Sequence, residues 1–176
     1  MEDKNKALWE KAAAFHGHVC GGLAIGYQAS LYAMELLGLE RAEDEEVVCV
    51  SENDACGVDA IQAILGCTVG KGNLLFRLHG KQAFTFYRRA GGRAVRLVLR
   101  HTPELPRDQR REWLMNGDFH EMFDVKEART PEPERARIFK SYPCSVCGEW
   151  AAENHIHLRD GAYCCEACCD VYTRNL

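Results

Sequence analysis

The stretch LLFRLHGKQAFTFYRRAGGRAVRLVL, residues 74–99, decides the fold class. It contains three short runs rich in aliphatic and aromatic residues, separated by turn-forming residues that include His79-Gly80-Lys81 and Gly91-Gly92. The predicted strands are residues 74–78, 83–87 and 94–99. Because consecutive hairpins make an antiparallel sheet, we predict an α+β fold, an antiparallel sheet with packed helices, and not a doubly wound one.

Helical patterns and one further strand precede and follow this stretch. Residues 20–39 are apolar at helical spacing and nearly apolar all round, which predicts a buried helix. Gly22 and Gly26 would let another backbone approach this helix closely. The other predicted elements are helices at 8–15, 58–65 and 106–115 and a strand at 47–51.

Length and charge restrict the possible classes of protein. The 176 residues suffice for one ordinary core and a small appendage. The net charge of −4 gives no reason to expect a nucleic acid or an anionic membrane as partner. The longest apolar run is too short for a bilayer and the N-terminus is charged, so we expect a cytoplasmic protein.

Two prolines between residues 129 and 134 suggest a linker. The predicted domains are an α+β core at 1–130, a linker at 131–140 and a zinc-finger domain at 141–176.

Six of the ten cysteines lie in the last 33 residues. Four of them form two C-x2-C pairs separated by 17 residues, a spacing typical of a structural zinc site. These predicted ligands are Cys144, Cys147, Cys165 and Cys168. Cys164 and Cys169 are interpreted as bystanders, with exchange of ligands inside the cluster left open. His155 and His157 are favoured as solvated side chains, although one could replace a thiolate.

A second group of metal ligands is predicted in the core. The motif His16-Gly17-His18-Val19-Cys20-Gly21-Gly22 combines two imidazoles and a thiol, which borderline-soft metals prefer. Both histidines reach one ion only if Gly17 bends the chain. Cys20 is expected at a helix start, where the dipole favours thiolate.

Cys56 and Cys67 add two thiols beside glycines, at opposite ends of the predicted 58–65 helix. For either one alone, a buried cysteine that packs as a small hydrophobe is the alternative. The segment 66–73, Gly66-Cys67-Thr68-Val69-Gly70-Lys71-Gly72-Asn73, lacks the spacing of a nucleotide-binding P-loop, so we exclude nucleotide hydrolysis. Its glycine amides beside Lys71 remain a candidate site for a small anion.

Three segments together resemble the FmdE family, named for the E component of formylmethanofuran dehydrogenase. They are His16-Gly17-His18-x-Cys20-Gly21-Gly22, Glu52-Asn53-x-x-Cys56-x-x-Asp59-Ala60-Ile61-Gln62 and Gly66-Cys67-Thr68-x-Gly70-Lys71-Gly72-Asn73. The C-terminal module is similar to the treble-clef finger fused to many members, whereas Gly21 stands where many relatives carry proline. The resemblance implies an α+β core, commonly dimeric, with a metal near the histidine and cysteine segments, and it fixes no reaction.

Three functions remain open. The first is a metal-binding protein of molybdenum or tungsten oxidoreductase metabolism, with zinc in the finger and a second transition metal, zinc by preference, in the core. The second is a thiol redox or metal-delivery protein, and the third is an adaptor that docks a partner through its finger. We expect a homodimer, and we leave open whether the protein is an enzyme. Candidate core ligands are His16, His18, Cys20, Cys56 and Cys67, with His18 and Cys56 favoured as direct ligands. Candidate catalytic groups are Cys20, Cys56, Asp59 and Lys71, and in a metal site we expect Asp59 and Lys71 to support the ligands or to contact substrate.

Overall fold

The structure is a computed structural model that describes residues 3–170; residues 1–2, and residues 171–176 of the predicted zinc-finger domain, lie outside the described part. The chain divides into two compact units, the first ending at Ala136 and the second beginning at Arg137. None of the helices within residues 3–170 combines the length and apolar character that a bilayer crossing requires.

Residues 3–136 of the first unit form five helices and five strands, which confirms the α+β prediction. Each predicted helix is present, and a short helix that the sequence did not predict follows the fourth. The helices are α1 (Asp3–His16), α2 (Gly21–Leu37), α3 (Gly57–Leu65), α4 (Arg107–Asn116) and α5 (Phe119–Met122). The strands are β1 (Val47–Ser51), β2 (Leu74–Phe76), β3 (Ala83–Arg88), β4 (Arg93–Leu99) and β5 (Phe123–Lys126).

The sheet order is β2-β1-β3-β4-β5, and one predicted pairing is wrong. The hairpin between β3 and β4 turns at Gly91 and Gly92, as predicted, and both glycines have positive φ. β2, however, pairs in parallel with β1 instead of forming a hairpin with β3. The segment after β2 passes the end of β1, where Arg77 N–H donates to Ser51 O and His79 N–H to Glu52 O. β1 is buried throughout, and its pairing with β2 on one edge and β3 on the other supplies partners for its buried backbone N–H and C=O groups.

α2 packs between the other helices of the first unit and the sheet, which confirms the prediction of a buried helix. It crosses α3 at glycines. A Cβ atom built on Gly26 would lie 1.9 Å from the carbonyl oxygen of Gly57, and one on Gly22 would lie 3.1 Å from the Cβ of Cys56. The predicted close approach of another backbone is therefore confirmed, and it brings the first residues of α2 and α3 together.

The segment expected to begin the linker contacts the first unit. Arg89 donates to the Glu132 carboxylate at 2.7 Å and to Pro133 O at 2.8 Å. Ala136 N–H donates to the Glu45 carboxylate at 3.1 Å. Residues 132–136 thus lie along the core. The linker at 131–140 was predicted to separate two independently folding domains, and that boundary stays a prediction.

In the second unit, the described residues 137–170 form two small antiparallel ribbons and a 3-10 helix at Glu153–His155. Its strands are β6 (Ser141–Pro143), β7 (Trp150–Ala152), β8 (Ile156–Arg159) and β9 (Ala162–Cys165). Gly148 has a φ of 77° in the turn between β6 and β7, and Asp160 and Gly161 both have positive φ in the turn between β8 and β9. Two successive residues with positive φ make the tight hairpin that the Asp-Gly pair predicts.

Candidate metal centres

The core site begins where α1 ends. His16 is the last residue of α1, and Gly17, with a φ of 87°, turns the chain out of the helix while its N–H still donates to Ala13 O. Cys20 follows as the N-cap of α2, and its sulfur accepts a hydrogen bond from Leu23 N–H at 3.3 Å. The short loop therefore places an imidazole and a thiol four residues apart on adjacent helix ends.

Asn53 positions the third member of the site. The Asn53 side-chain oxygen accepts from Ala55 N–H at 3.1 Å and its amide nitrogen donates to Lys81 O at 2.8 Å. These bonds fix the turn between β1 and α3, so that Cys56 caps α3 beside Gly22. Asn53 belongs to the second of the three family-like segments, but its role in this turn does not follow from the sequence alone.

His16, Cys20 and Cys56 converge. Each offers one ligand atom, and these three atoms lie within 4.8 Å of one another. The His16 Nε2 atom is 3.8 Å from the Cys20 sulfur, and all three residues are half-buried. Imidazole and thiolate groups at this separation can hold a transition metal ion.

Asp59 orients the imidazole. Its carboxylate accepts a hydrogen bond from His16 Nδ1–H at 2.7 Å and another from Gln62 at 3.2 Å. Because Nδ1 carries the proton toward Asp59, the Nε2 lone pair is directed at the two thiols. The hydrogen bond to Asp59 raises the pKa of His16. Asp59 was predicted as a catalytic candidate, and the structure places it behind the histidine.

The two thiols differ in acidity. Burial raises the pKa of Cys20, but hydrogen bonds from Leu23 N–H and from the Cys56 thiol, together with the adjacent His16 side chain, outweigh that effect and lower the pKa below its ordinary value. Burial, followed by donation to Cys20, raises the pKa of Cys56. Cys20 is therefore the better thiolate of the pair.

The other predicted core residues lie outside this trio. His18 is exposed and its ring centroid lies 4.4 Å from that of His16. Cys67 is buried at the opposite end of α3, where its thiol donates to Val47 O at 3.6 Å and burial raises its pKa to about 12. Lys71 donates to Ala42 O and Glu43 O, both at 3.1 Å. The structure thus brings together three of the five predicted core ligands.

The segment at 66–73 has a structural role that was not predicted from the sequence. Asn73 is fully buried, and its side chain donates to Asp44 O and Val47 O and accepts from Thr68 N–H. These bonds satisfy buried backbone groups at the start of β1 and at the loop itself. The sequence feature that could have indicated this role is the asparagine that ends the glycine-rich segment.

Cys144, Cys147, Cys165 and Cys168 converge in the second unit, with their sulfur atoms within 4.8 Å of one another. Backbone N–H groups of Cys147, Cys165 and Val146 donate to the Cys144 sulfur and lower its pKa to about 6. His155 is exposed and pairs with Glu166 at 2.9 Å, as expected of a solvated side chain. Cys164 is buried next to this cluster, and burial raises its pKa to about 12.

Comparison with known proteins agrees with this architecture. Residues 15–145 match the family described as FmdE, Molybdenum formylmethanofuran dehydrogenase operon. The chain is 29% identical over 204 aligned residues to a probable S-adenosyl-L-methionine-binding protein of Archaeoglobus fulgidus. That alignment covers 97% of the chain and 55% of the relative, so the chain spans about half the length of this curated relative.

A solved structure shares the fold. It is the crystal structure of an FmdE-like protein from Syntrophus aciditrophicus, described as resembling a component of tungsten formylmethanofuran dehydrogenase. The TM-score is 0.63 at 24% sequence identity, and the match covers 85% of this chain and 86% of the other. At this identity the likeness establishes the fold alone.

Proposed function

The chain belongs to the FmdE family, and from that premise we propose that its core binds a transition metal ion, zinc by preference, through His16, Cys20 and Cys56. The observation that carries the proposal is the convergence of these three ligand atoms, with Asp59 fixing the histidine. Three protein ligands leave a fourth tetrahedral position for water or substrate, as in catalytic zinc sites. The ion would act as a Lewis acid on a bound group.

Four cysteines in the second unit are proposed to hold a structural zinc ion. Four thiolates close the coordination sphere, so this ion would stabilise the fold without touching substrate. The small size of the unit supports this role, because about 40 residues bury too little apolar surface to fold without a bound metal ion or a covalent cross-link. The two metal centres would thus differ in chemistry, one open and one closed.

The wider role that we propose is in molybdenum or tungsten oxidoreductase metabolism. The family description refers to a molybdenum formylmethanofuran dehydrogenase operon, which supports association with an oxidoreductase complex.

A homodimer is proposed as well. The nearly all-apolar helix at 20–39 gives this proposal no support, because α2 buries most of its side chains within its own chain. The remaining support is the edge strand β2, where Phe76 and the following Leu78 are exposed. Light scattering should give twice the 19.9 kDa of one chain.

A thiol redox function is the second candidate, and the Cys20 and Cys56 sulfurs, which lie within 4.8 Å of each other, favour it. Oxidation would join the two sulfurs, releasing two protons and passing two electrons to an acceptor such as oxidised glutathione. A bound metal would protect both thiols from this reaction. Counting free thiols after exposure to oxidised glutathione, with and without metal, therefore separates the two candidates.

The central test is the metal content of the full chain and of matched variants. His16→Ala and Cys56→Ser should each carry one ion fewer per chain than the parent protein. His18→Ala and Cys67→Ala are the controls, because neither residue is one of the three converging ligands on which the proposal rests. Loss of metal from the His18 variant but not from the His16 variant would refute the ligand assignment.

A further inference from the structure

A cavity of about 510 Å³ opens beside the proposed metal ligands. The start of α2 forms one wall with Cys20, Gly21 and Gly22, and α4 forms the opposite wall. Its volume falls within the range of small-molecule sites. Cys20 belongs both to the metal trio and to the cavity wall, so a molecule in the cavity would lie next to the ion.

The cavity is strongly basic on the α4 side. Arg107, Arg110 and Arg111 line it, opposed by the single carboxylate of Asp108. Among residues 3–170, Asp108 forms an ion pair with Arg111 alone, at 3.7 Å, and the Asp108 side chain is 88% exposed. Arg107 and Arg110 form no ion pair with the residues that the structure describes. This concentration of positive charge contrasts with the net charge of −4 of the whole chain.

α4 is held in place over the cavity rather than loosely attached. Gln28, buried in α2, donates through its amide to Leu114 O and Met115 O at 3.2 and 2.9 Å. A Cβ atom on Gly21 would lie 3.0 Å from Leu114, so the helix packs directly on the start of α2. The N-terminal turn of α2 contains no acidic residue, and its dipole adds positive potential on the facing wall.

We propose that this cavity binds a small organic anion, whose carboxylate or phosphate group is held by Arg107 and Arg110 while its other end reaches the core metal ion. Guanidinium groups bind these planar or tetrahedral oxyanions through paired hydrogen bonds. The arginines would fix the substrate's orientation and the ion would polarise its reacting group. This inference rests on the proposed metal centre and names the class of its ligand.

The test uses the full chain loaded with cobalt(II), whose visible spectrum reports changes of coordination. Calorimetric titrations with malonate and with inorganic phosphate measure anion binding, and tetramethylammonium is the cationic control. Arg107→Gln and Arg110→Gln should each weaken anion binding about tenfold or more, whereas the exposed Arg135→Gln, outside the cavity, should not. The Cys56→Ser variant supplies the spectral baseline of the second unit's cobalt.

Binding of malonate or phosphate that depends on Arg107 and Arg110 and that shifts the cobalt spectrum supports the proposal. Tighter binding of malonate identifies the ligand as a carboxylate, and tighter binding of phosphate identifies it as a phosphate ester. Equal affinity in the arginine variants, or no measurable anion binding, overturns the proposal, and an unchanged cobalt spectrum overturns contact with the ion. If the core takes up no cobalt but still binds anions through the arginines, the result supports the anion site and refutes the proposed metal centre.

Discussion

Gly26 and Gly57 meet backbone to backbone where α2 crosses α3. This contact sets the spacing of the two helices, and the caps lie close to it, Cys20 six residues before Gly26 and Cys56 one residue before Gly57. The two thiols approach each other because these two positions lack side chains. The packing of the core and the geometry of the proposed metal centre are therefore set by the same crossing.

Gly26→Ala is expected to destabilise the fold and to separate the two thiols. The added methyl group would meet the Gly57 carbonyl at 1.9 Å, and backbone cannot yield as a flexible side chain does. Overpacking of this kind costs about 1–3 kcal/mol or more in unfolding free energy. Urea unfolding measures the loss. Gly70→Ala is the matched control, because nothing lies within 4 Å of a Cβ atom there and its φ is not positive; an equal effect of both substitutions would contradict the prediction.

The fold class and the helix positions followed from sequence because they depend on local periodicity. The pairing of β2 did not, because the segment at 77–82 resembles a hairpin turn but continues past the end of β1. Nothing in that segment's own pattern shows that the fully buried β1 needs a second neighbour. The prediction was wrong about which strands are neighbours in the sheet, because contacts between residues distant in sequence determine strand order.

The sequence predicted which types of residue form the candidate site, but it did not predict how their side chains are arranged. The motif at 16–22 offers two histidines, and the turn at Gly17 decides that His16 faces Cys20 while His18 lies outside the trio. The Asp59 contact is made across 43 residues, so no spacing rule indicates it. The arginines of α4 occur in an amphipathic helix whose charged side resembles an ordinary solvated surface.

Asp59→Asn is expected to weaken core metal binding about 10- to 100-fold, as loss of the partner of a ligating histidine does. The amide removes the negative charge that supports His16 while keeping nearly the same shape. Competition with a chromogenic zinc chelator measures the affinity. Gln62→Ala is the control, because Gln62 contacts the Asp59 carboxylate and not the histidine. Unchanged affinity in the Asp59 variant would show that the hydrogen bond at 2.7 Å has no role in metal binding.

Glu52 should make the stability of the fold depend on acid pH. Hydrogen bonds from the buried Arg96, one of them 3.0 Å long, lower the pKa of Glu52. The folded pKa lies below the unfolded one, so the stabilisation is fully present above the unfolded value of about 4.3 and is lost as pH falls through the folded pKa. Urea unfolding between pH 3 and 7 should show this loss. Metal release at acid pH affects the parent and Glu52→Gln alike, so the difference between their slopes isolates the carboxylate.

Glu52→Gln should itself cost about 3–5 kcal/mol at neutral pH, because it leaves the Arg96 charge buried without its partner. Its stability should vary less with pH than that of the parent. The double variant Glu52→Gln with Arg96→Met should recover part of the loss, since no charge then remains buried. Parallel pH profiles of the parent and the single variant would contradict the assignment of the pH dependence to Glu52.

Cys147→Ser is expected to release the metal of the second unit and to unfold that unit while the first unit stays intact. Cys147 supplies one of four converging sulfurs, and a structural site with three thiolates binds zinc far more weakly. Cys169→Ser is the matched control, because Cys169 lies beside the cluster without belonging to it. Metal content, together with limited proteolysis cutting after residue 136 and sparing residues before it, measures both effects. If Cys169→Ser releases the ion and Cys147→Ser does not, the ligand set includes Cys169 and the two C-x2-C pairs do not define the site.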